Sequence, residues 1–266
     1  MRDAEKIPYL QYMHLLSIVI VCKNEAAVIG ATLTSLQGVS DDVVIYDNGS
    51  TDGTQELVKQ FNVRLYEGSW EGFGKTKGKA LALAKHDWVL FLDADEAVDE
   101  ELRQSLLNWQ PEAETIVYEM AFKNFFKHKP LKYGAWGTDY HIRLFNRRAA
   151  QWDEAPVHEQ LLLATGCVTR RMKGYILHRT LKSIDDYKRK MEQYAVLSAE
   201  KYFRQGKKAT WVKQKFSPVV SFIGNYIFKL GFLDGKEGYK SAKMTAAYTA
   251  MKYAKLKEMQ KKNGTS

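Results

Sequence analysis

The chain has little cysteine, little proline and no long hydrophobic run. Its 266 residues include only 2 Cys and 5 Pro, while 45% of the residues are hydrophobic and 27% are charged. Two cysteines cannot build the disulfide framework of a small secreted domain, and we expect Cys22, within an apolar stretch, to pack as a small hydrophobic residue. The composition excludes disulfide-rich, collagen-like and disordered classes and predicts a globular protein in a reducing compartment.

Neither a secretory signal nor a membrane-spanning segment is expected from the sequence. The apolar residues 15–22 run directly into Lys23-Asn24-Glu25 without a small-residue cleavage site. That stretch is too short to cross a bilayer, as is the apolar stretch 219–228, because a spanning helix needs about 20 apolar residues. Residues 15–22 instead suit a buried strand.

Positive charge is concentrated toward the C-terminus. The whole chain carries 40 Lys and Arg against 31 Asp and Glu. Residues 201–266 contain 15 Lys and Arg but only 3 Asp and Glu, a net charge of +12. The first 200 residues are therefore slightly acidic. A strongly basic tail predicts an anionic partner, which could be a membrane surface, a nucleic acid or an acidic glycan.

The first hundred residues alternate between strand and helix patterns. Helical patterns between strands are typical of a parallel sheet with helices on both faces, so we predict an α/β fold. In such sheets ligands bind beyond the carboxyl ends of the strands. The predicted strands are residues 15–22, 42–47, 63–67 and 87–92, and the predicted helices are residues 25–36, a segment ending at residue 60, and residues 75–85.

Acidic residues collect where three of these strands end. Glu25 follows the first strand, Asp47 ends the second, and Asp93 and Asp95 follow the fourth. Two carboxylates one residue apart after an apolar strand form half of a site for a hard divalent cation. Asp52, in the turn before the second helix, is better interpreted as a cap or turn residue.

These motifs resemble those of glycosyltransferase family 2, the inverting nucleotide-sugar transferases with a GT-A fold. Residues 17–25, 47–54 and 93–96 match in order and in spacing. The resemblance covers about residues 15–255 and implies a Rossmann-like, mostly parallel sheet with helices on both faces. Similarity to the branch that glycosylates the lipopolysaccharide inner core is carried by Trp70, Gly72, Gly74 and Lys75, by the Asp-Ala-Asp-Glu motif, and by residues 157–159, 177–180 and 231–235.

The resemblance implies roles for residues of the donor half. Glu25 and Asp47 would contact the nucleoside, with Asp47 accepting from the base, and Asp93 would meet the ribose. Asp95 would hold a metal, Mg²⁺ or Mn²⁺, which would neutralise charge on the leaving diphosphate. The nucleotide-sugar-binding residues also include Gly49, Ser50 and Lys75, the last being one of three alternating lysines of which only one is expected to face the site.

The acceptor half is expected to supply the general base. Inversion needs a base on the face of the sugar opposite the diphosphate. By the resemblance we choose Glu159, which could instead form a structural ion pair, and Asp153 is the competing candidate. His158 would bind the acceptor or orient Glu159. His178 is either a structural histidine or a further metal ligand. The predicted acceptor-binding residues are Trp136 and Tyr140, either of which could instead belong to the core, and Arg143.

The last third of the chain predicts three helices, over residues 183–205, 207–230 and 236–261. Aromatic residues interleaved with lysines are typical of peripheral membrane binding. The alternative is a helical subdomain whose aromatic residues pack on the catalytic domain. We therefore divide the chain into an N-terminal extension (1–14), a GT-A catalytic domain (15–182, with a nucleotide-sugar half to about residue 110 and an acceptor half beyond it) and a basic amphipathic helical region (183–266).

These observations predict an inverting glycosyltransferase. It would move a sugar from a nucleoside-diphosphate sugar, with UDP-hexose favoured by the resemblance, to a glycolipid or polysaccharide acceptor in lipopolysaccharide core or other cell-envelope glycan synthesis. We expect it in the cytoplasm, peripheral on the inner face of the cytoplasmic membrane, without a nucleic-acid partner. Two alternatives stay open: a nucleic-acid-binding protein that uses the basic tail, and a sugar-nucleotide pyrophosphorylase, although residues 23–25 lack the Gly-rich, Arg-containing loop of that class.

Overall fold

Strands and helices alternate through the first hundred residues, as predicted. The computed structural model describes residues 15–137, 139–155, 159–179 and 184–264. Apolar side chains fill the strands, and turn residues such as Gly49 and Gly53, both with positive φ, separate strands from helices. The elements of this part are β1 (Leu16–Cys22), α1 (Ile29–Ser35), β2 (Asp42–Asp47), α2 (Thr54–Val58), β3 (Arg64–Glu67), α3 (Phe73–Ala82) and β4 (Trp88–Asp93).

Four strands run in parallel and bring their carboxyl ends to one edge. β1 pairs in parallel with β2 and with β4, and β2 pairs in parallel with β3. In this register Cys22 lies opposite Asp47, and Val21 lies opposite Asp93. The predicted α/β architecture is confirmed here, and the acidic residues at the strand ends lie on adjacent strands.

The rest of the sheet is antiparallel. The order of strands is β3-β2-β1-β4-β8-β6-β11-β5, and β9 and β10 form a small sheet of their own. β8 is antiparallel to both β4 and β6, and β11 is antiparallel to β5. The remaining elements are β5 (Glu96–Val98), α4 (Glu100–Leu107), β6 (Ile116–Phe126), β7 (Lys129–Leu131), β8 (Tyr140–Asn146), β9 (Ala150–Trp152), β10 (Leu161–Leu163) and β11 (Val168–His178).

Helices cover both faces of the parallel strands. Successive side chains of a strand point to opposite faces. On one face Ile20 packs with Ile29 of α1 and Leu102 of α4. On the other face Val19 packs with Leu81 of α3. The helices on both faces are therefore confirmed, and the two cores hold the strand ends in fixed positions.

The chain divides into two compact units. One extends to Phe122 and resumes over Tyr140–His178, and the other takes in Lys123–Asp139 and the chain from Arg179 onward. The sequence assigned residues 123–139 to the catalytic domain, whereas this division groups them with the C-terminal helices. The predicted N-terminal extension, residues 1–14, and the predicted boundary at residues 182 and 183 lie outside the described residues.

The second unit contains the three predicted helices, α5 (Ile184–Arg204), α6 (Trp211–Ile223) and α7 (Gly235–Lys262), and both α5 and α6 pack on α7. A π-helical turn, Gly224–Phe228, continues α6. Asp234 is buried and contacts the segment that follows β7. Its carboxylate accepts from the backbone N–H groups of Lys132 at 3.0 Å and Tyr133 at 2.9 Å. The motif at residues 231–235 thus has a structural role.

Candidate active site

The loops that follow β1 and β2 are joined by hydrogen bonds. The backbone N–H of Asn24 donates to the Ser50 hydroxyl at 2.8 Å, and that of Glu25 donates to the Thr54 hydroxyl at 2.8 Å. Asp52 accepts from the backbone N–H of Thr54 at 3.1 Å, so its structural interpretation agrees with the geometry. Glu25 is half-buried at this edge, beside the end of β1.

The carboxylate of Asp47 is occupied by its own loop. It is fully buried. One oxygen accepts from the backbone N–H groups of Gly49 at 3.0 Å and Ser50 at 2.8 Å and from the Gln55 amide at 2.9 Å. The other accepts from the Ser50 hydroxyl and, at 3.3 Å, from the Cys22 thiol. Burial raises the pKa of Asp47, but these donors outweigh it and lower the pKa overall.

This geometry gives Asp47 a structural role in its loop, with Gly49 and Ser50 among its donors. Its expected contact with the base stays a prediction. Asn48, which the sequence analysis missed, is buried with its Nδ2 donating to the Cys22 carbonyl at 3.3 Å. Its Oδ1 has no hydrogen-bond partner among the described residues. A buried acceptor left unpaired costs about 1–3 kcal/mol, so a ligand N–H would be stabilised there.

Asp93 lies at the centre of a buried ionic network at the end of β4. Its oxygens are 3.2 Å from Lys77 Nζ and 3.6 Å from Arg143 Nη2. Its backbone N–H donates to Glu96 at 3.0 Å, and Glu96 in turn accepts from Arg143 Nη2 at 2.6 Å. Burial raises the pKa of Asp93, but Lys77 and Arg143 hold it well below its usual range. Asp93 is therefore ionised and fixed in position.

Lys77, and not Lys75, faces this network. The Lys77 side chain is only 7% exposed, and its ammonium lies 2.8 Å from Glu159 Oε1 as well as 3.2 Å from Asp93. Although burial lowers the pKa of Lys77, the two carboxylates raise it overall, so it stays protonated. Lys75 is half exposed and pairs with Glu154 at 3.7 Å. The expected contact of Lys75 with the diphosphate stays a prediction.

The two candidates for the general base differ in their surroundings. Glu159 is 14% exposed and contacts Lys77. The Asp153 carboxylate instead accepts from the backbone N–H of Ala155 at 3.2 Å, within its own turn. Gly74 fixes this turn, because its N–H donates to the Ala155 carbonyl at 3.0 Å and any Cβ there would lie 1.9 Å from the Asp153 carbonyl. Glu159 forms an ion pair and lies beside the donor edge, whereas Asp153 accepts within its own turn, so the choice of Glu159 as the base stays a prediction. The predicted partner His158 lies outside the described residues.

Asp95 and His178 are brought together, as the metal prediction requires. His178 Nε2 lies 3.6 Å from Asp95 Oδ1. Two ligand atoms each about 2.1 Å from one cation lie at most about 4.2 Å apart, so this pair fits a shared ion. Among the described residues no group of three His, Cys, Asp or Glu is placed to hold a metal. The pair therefore suits a metal whose other ligands come from substrate and water.

The predicted acceptor residues have three different environments. Arg143 pairs with Glu96 and Asp93 and so fixes those carboxylates, while its expected contact with an acceptor stays a prediction. Tyr140 is 44% exposed, which excludes the core alternative, and the Arg171 guanidinium lies 4.0 Å from its ring centre. Trp136 belongs to the other unit, where it is half-buried against Phe126.

The comparison with protein families agrees with this geometry. The family model described as Glycosyl transferase family 2 matches residues 17–162, more than half of the chain, including the ends of β1, β2 and β4. The chain belongs to glycosyltransferase family 2. Membership makes it a glycosyltransferase and favours that function over the nucleic-acid-binding and pyrophosphorylase alternatives.

Relatives of this glycosyltransferase match it over most of its length. It is 28% identical over 251 residues to the lipopolysaccharide core biosynthesis glycosyltransferase LpsC of Rhizobium meliloti, covering 91% of each chain. An uncharacterized glycosyltransferase of Rickettsia prowazekii is 24% identical over 264 residues, covering 94% of this chain and 89% of the other. The structure of Staphylococcus aureus TarS 1–349 in complex with UDP is 16% identical, covers 94% and 92% of the two chains, and superposes with a TM-score of 0.44.

Proposed function

We propose that this glycosyltransferase catalyses an inverting transfer from a nucleoside-diphosphate sugar, with Glu159 as the general base. The contact that carries the proposal is the ammonium of Lys77. It is 2.8 Å from Glu159 and 3.2 Å from Asp93, so the two carboxylate oxygens lie within about 6 Å of each other. A base on the acceptor side and a carboxylate on the donor side are thereby held by one buried cation.

The reaction follows from this pairing. Glu159 takes the proton of an acceptor hydroxyl as its oxygen bonds to the anomeric carbon. The bond from that carbon to the diphosphate breaks on the opposite face, and the nucleoside diphosphate leaves with the electron pair. One attack of this kind inverts the anomeric centre. Lys77 and Arg143 hold Asp93 and Glu159 in place, so the groups need not reorganise during the reaction.

We propose that Glu25, Asp47, Asn48 and Asp93 contact the nucleotide and that Asp95 and His178 hold Mg²⁺ or Mn²⁺. Asn48 is added to the expected residues because its Oδ1 has no hydrogen-bond partner among the described residues. The metal proposal rests on the 3.6 Å separation of Asp95 and His178. Mg²⁺ commonly takes one or two protein carboxylates together with substrate phosphates, and when bound it would neutralise charge on the departing diphosphate. UDP-hexose remains the donor that family resemblance favours.

We propose a lipopolysaccharide core intermediate or another envelope glycolipid as the acceptor. The support is the similarity to LpsC along 91% of each chain. The basic C-terminal helices would bring the enzyme to the inner face of the cytoplasmic membrane, where such an acceptor is found. The two cysteines are free, which fits a reducing compartment.

The test is a transfer assay with defined donors. The purified chain is incubated with Mn²⁺, detergent-dispersed lipopolysaccharide core glycolipid and one UDP-hexose at a time, and released UDP is measured. The anomeric configuration of the new linkage is read by NMR. We expect one preferred donor and inverted configuration. Retained configuration would contradict the direct role of Glu159, and release without acceptor dependence would contradict the proposed acceptor.

A further inference from the structure

Helix α6 is amphipathic, but its apolar side faces outward. A helix of a water-soluble protein turns its apolar side to the core. On α6 the side away from α7 is apolar and open. Its exposed residues are Val212 at 57%, Phe216 at 54%, Val219 at 52%, Val220 at 66% and Ile223 at 38% exposure.

The inward side of the same helix combines polar groups with one aromatic residue, Phe222, whose ring lies 5.8 Å from that of Tyr239 on α7. Ser221 accepts from the Thr249 hydroxyl of α7 at 3.4 Å. Asn225, in the π-helical turn that continues α6, is buried and donates to the Ser221 carbonyl at 2.8 Å. Gln214 donates to the Ala209 carbonyl at 2.8 Å. The helix thus turns these polar groups and Phe222 inward, and it presents the apolar side chains named above to the surroundings.

The exposed side chains form one continuous surface. Positions 212, 216, 219, 220, 223 and 227 recur at spacings of three and four, which places them on a single side of a helix. Ile227 and Phe228 extend this side with 52% and 79% exposure. We call the set of these seven side chains, Val212, Phe216, Val219, Val220, Ile223, Ile227 and Phe228, the α6 face. A contiguous exposed apolar surface of this kind marks an interaction site.

Charge around the α6 face is of one sign. Lys213 and Lys215 lie on either side of the apolar stripe by helical spacing, and Lys229 follows its end. Residues 211–233 contain no Asp or Glu. A second copy of the chain related by a two-fold axis would bring these lysines toward each other. Anionic lipid headgroups would instead pair with them while acyl chains cover the apolar stripe.

The segment formed by α6 and the π-helical turn is a little short for a spanning helix. Its 18 residues, 211–228, span about 27 Å at the rise of an α-helix, less than the roughly 30 Å of a bilayer core. No single helix in the described part of the chain is long and apolar enough to cross a bilayer. Residues 211–228 and 231–262 are long and apolar enough to cross a bilayer only when taken together, and the two segments are bent by 71° relative to each other.

We propose that α6 and its continuation to Phe228 lie in the plane of an anionic membrane, with the α6 face in the acyl region and Lys213 and Lys215 at the headgroups. The α6 face is the surface through which the membrane association proposed above would occur, so this inference rests on that proposal. Its test requires no sugar transfer, so it can fail or succeed independently of the proposed reaction.

The experiment is co-sedimentation of the full chain with large unilamellar vesicles. One set is made of phosphatidylcholine alone and the other of phosphatidylcholine with phosphatidylglycerol at three to one. Val220→Glu places a charge on the α6 face. Val168→Glu is the matched control, because Val168 is also a valine, is 56% exposed and lies on β11 in the other unit. Far-UV circular dichroism and thermal unfolding check that each variant is folded.

We expect the wild-type chain and Val168→Glu to bind the anionic vesicles equally. Val220→Glu should bind about tenfold more weakly, and Lys213→Gln with Lys215→Gln should lose the preference for anionic vesicles. Equal binding by Val220→Glu and Val168→Glu would overturn the proposal. So would a wild-type dimer in solution that Val220→Glu converts to a monomer without any vesicle binding, since the α6 face would then join two copies of the chain.

Discussion

Replacing Lys77 by methionine tests the ionic network most sharply. The substitution keeps an unbranched side chain of similar length but removes the ammonium that contacts Asp93 and Glu159. Removing one partner of a buried ion pair costs about 3–5 kcal/mol, because the remaining charge is left uncompensated. The Asp93 side chain is 38% exposed and stays near Arg143, so we take the lower end, about 3 kcal/mol. For a chain of this size that corresponds to a Tm lowered by about 6–12 °C.

Catalysis should suffer as well. Without the ammonium, Glu159 is no longer held toward the donor edge, and a misplacement of about 1 Å can lower kcat about 10²-fold. The assays are thermal unfolding and UDP release under saturating donor. Lys79→Met is the matched control, because Lys79 lies on the same helix and pairs with Glu71 at the surface, where ion pairs contribute about 1 kcal/mol or less.

The network also predicts how the effect varies with pH. Burial raises the pKa of Asp93, but Lys77 and Arg143 lower it below its ordinary value of 3.8. A carboxyl group whose pKa is lower in the folded state than in the unfolded state raises the free energy of unfolding above pH 3.8. This contribution is lost as the pH falls toward the folded-state pKa. The stability difference between wild type and Lys77→Met should therefore be full at pH 7 and should narrow below about pH 4. If Lys77→Met has the same Tm and kcat as Lys79→Met, the proposed role of Lys77 is refuted.

Further variants test other parts of the site. Glu159→Gln should lower kcat about 10²–10⁴-fold with UDP affinity little changed, whereas Asp153→Asn should stay near wild type; the reverse pattern in steady-state kinetics would make Asp153 the base. Asp95→Ala should remove the dependence of UDP binding on Mn²⁺ in calorimetry, and metal-dependent binding that survives would exclude Asp95 as a ligand. Gly74→Ala should lower both Tm and kcat, because its Cβ would lie 1.9 Å from the Asp153 carbonyl; a crystal structure with residues 153–155 unmoved would contradict this.

The donor edge could be predicted from the sequence because it depends on local patterns. Apolar strands separated by helices fix a parallel sheet, and the carboxyl ends of parallel strands meet at one edge. Asp93 and Asp95 therefore had to lie beside the end of β1. His178 was placed only through family resemblance, since its position depends on the antiparallel pairing of β11 with β5, which sets His178 opposite Glu96. Nothing local to His178 specifies that pairing.

Lys77 was missed although a signal was present. Phe73, Ala80, Leu81 and Ala84 recur at helical spacing, and Lys77 falls on the same side of α3 as these residues. A charged residue on an apolar stripe is buried only when it is paired, so the stripe marked Lys77 as the lysine with a partner. Alternation of lysines alone could not distinguish it from Lys75.

The role of Asp47 and the orientation of α6 depend on packing that a sequence does not specify. An Asp before a Gly-Ser turn can bind a ligand or accept from its own loop, and only the burial of Asp47 favours the second. An amphipathic helix such as α6 can turn either side to its neighbour. The sequence predicted the basic and aromatic composition of this region but not that one apolar side of α6 would stay exposed.

Calorimetric titration with nucleoside diphosphates tests the proposed donor site most directly. UDP, ADP, GDP and CDP are titrated into the purified chain with and without Mn²⁺, and UDP is titrated into Asn48→Ala and Asp95→Ala. We expect metal-dependent binding of UDP in preference to the others, weakened by Asn48→Ala and made independent of metal by Asp95→Ala. Absence of binding by every nucleotide under both conditions would contradict a donor site at the carboxyl ends of β1, β2 and β4.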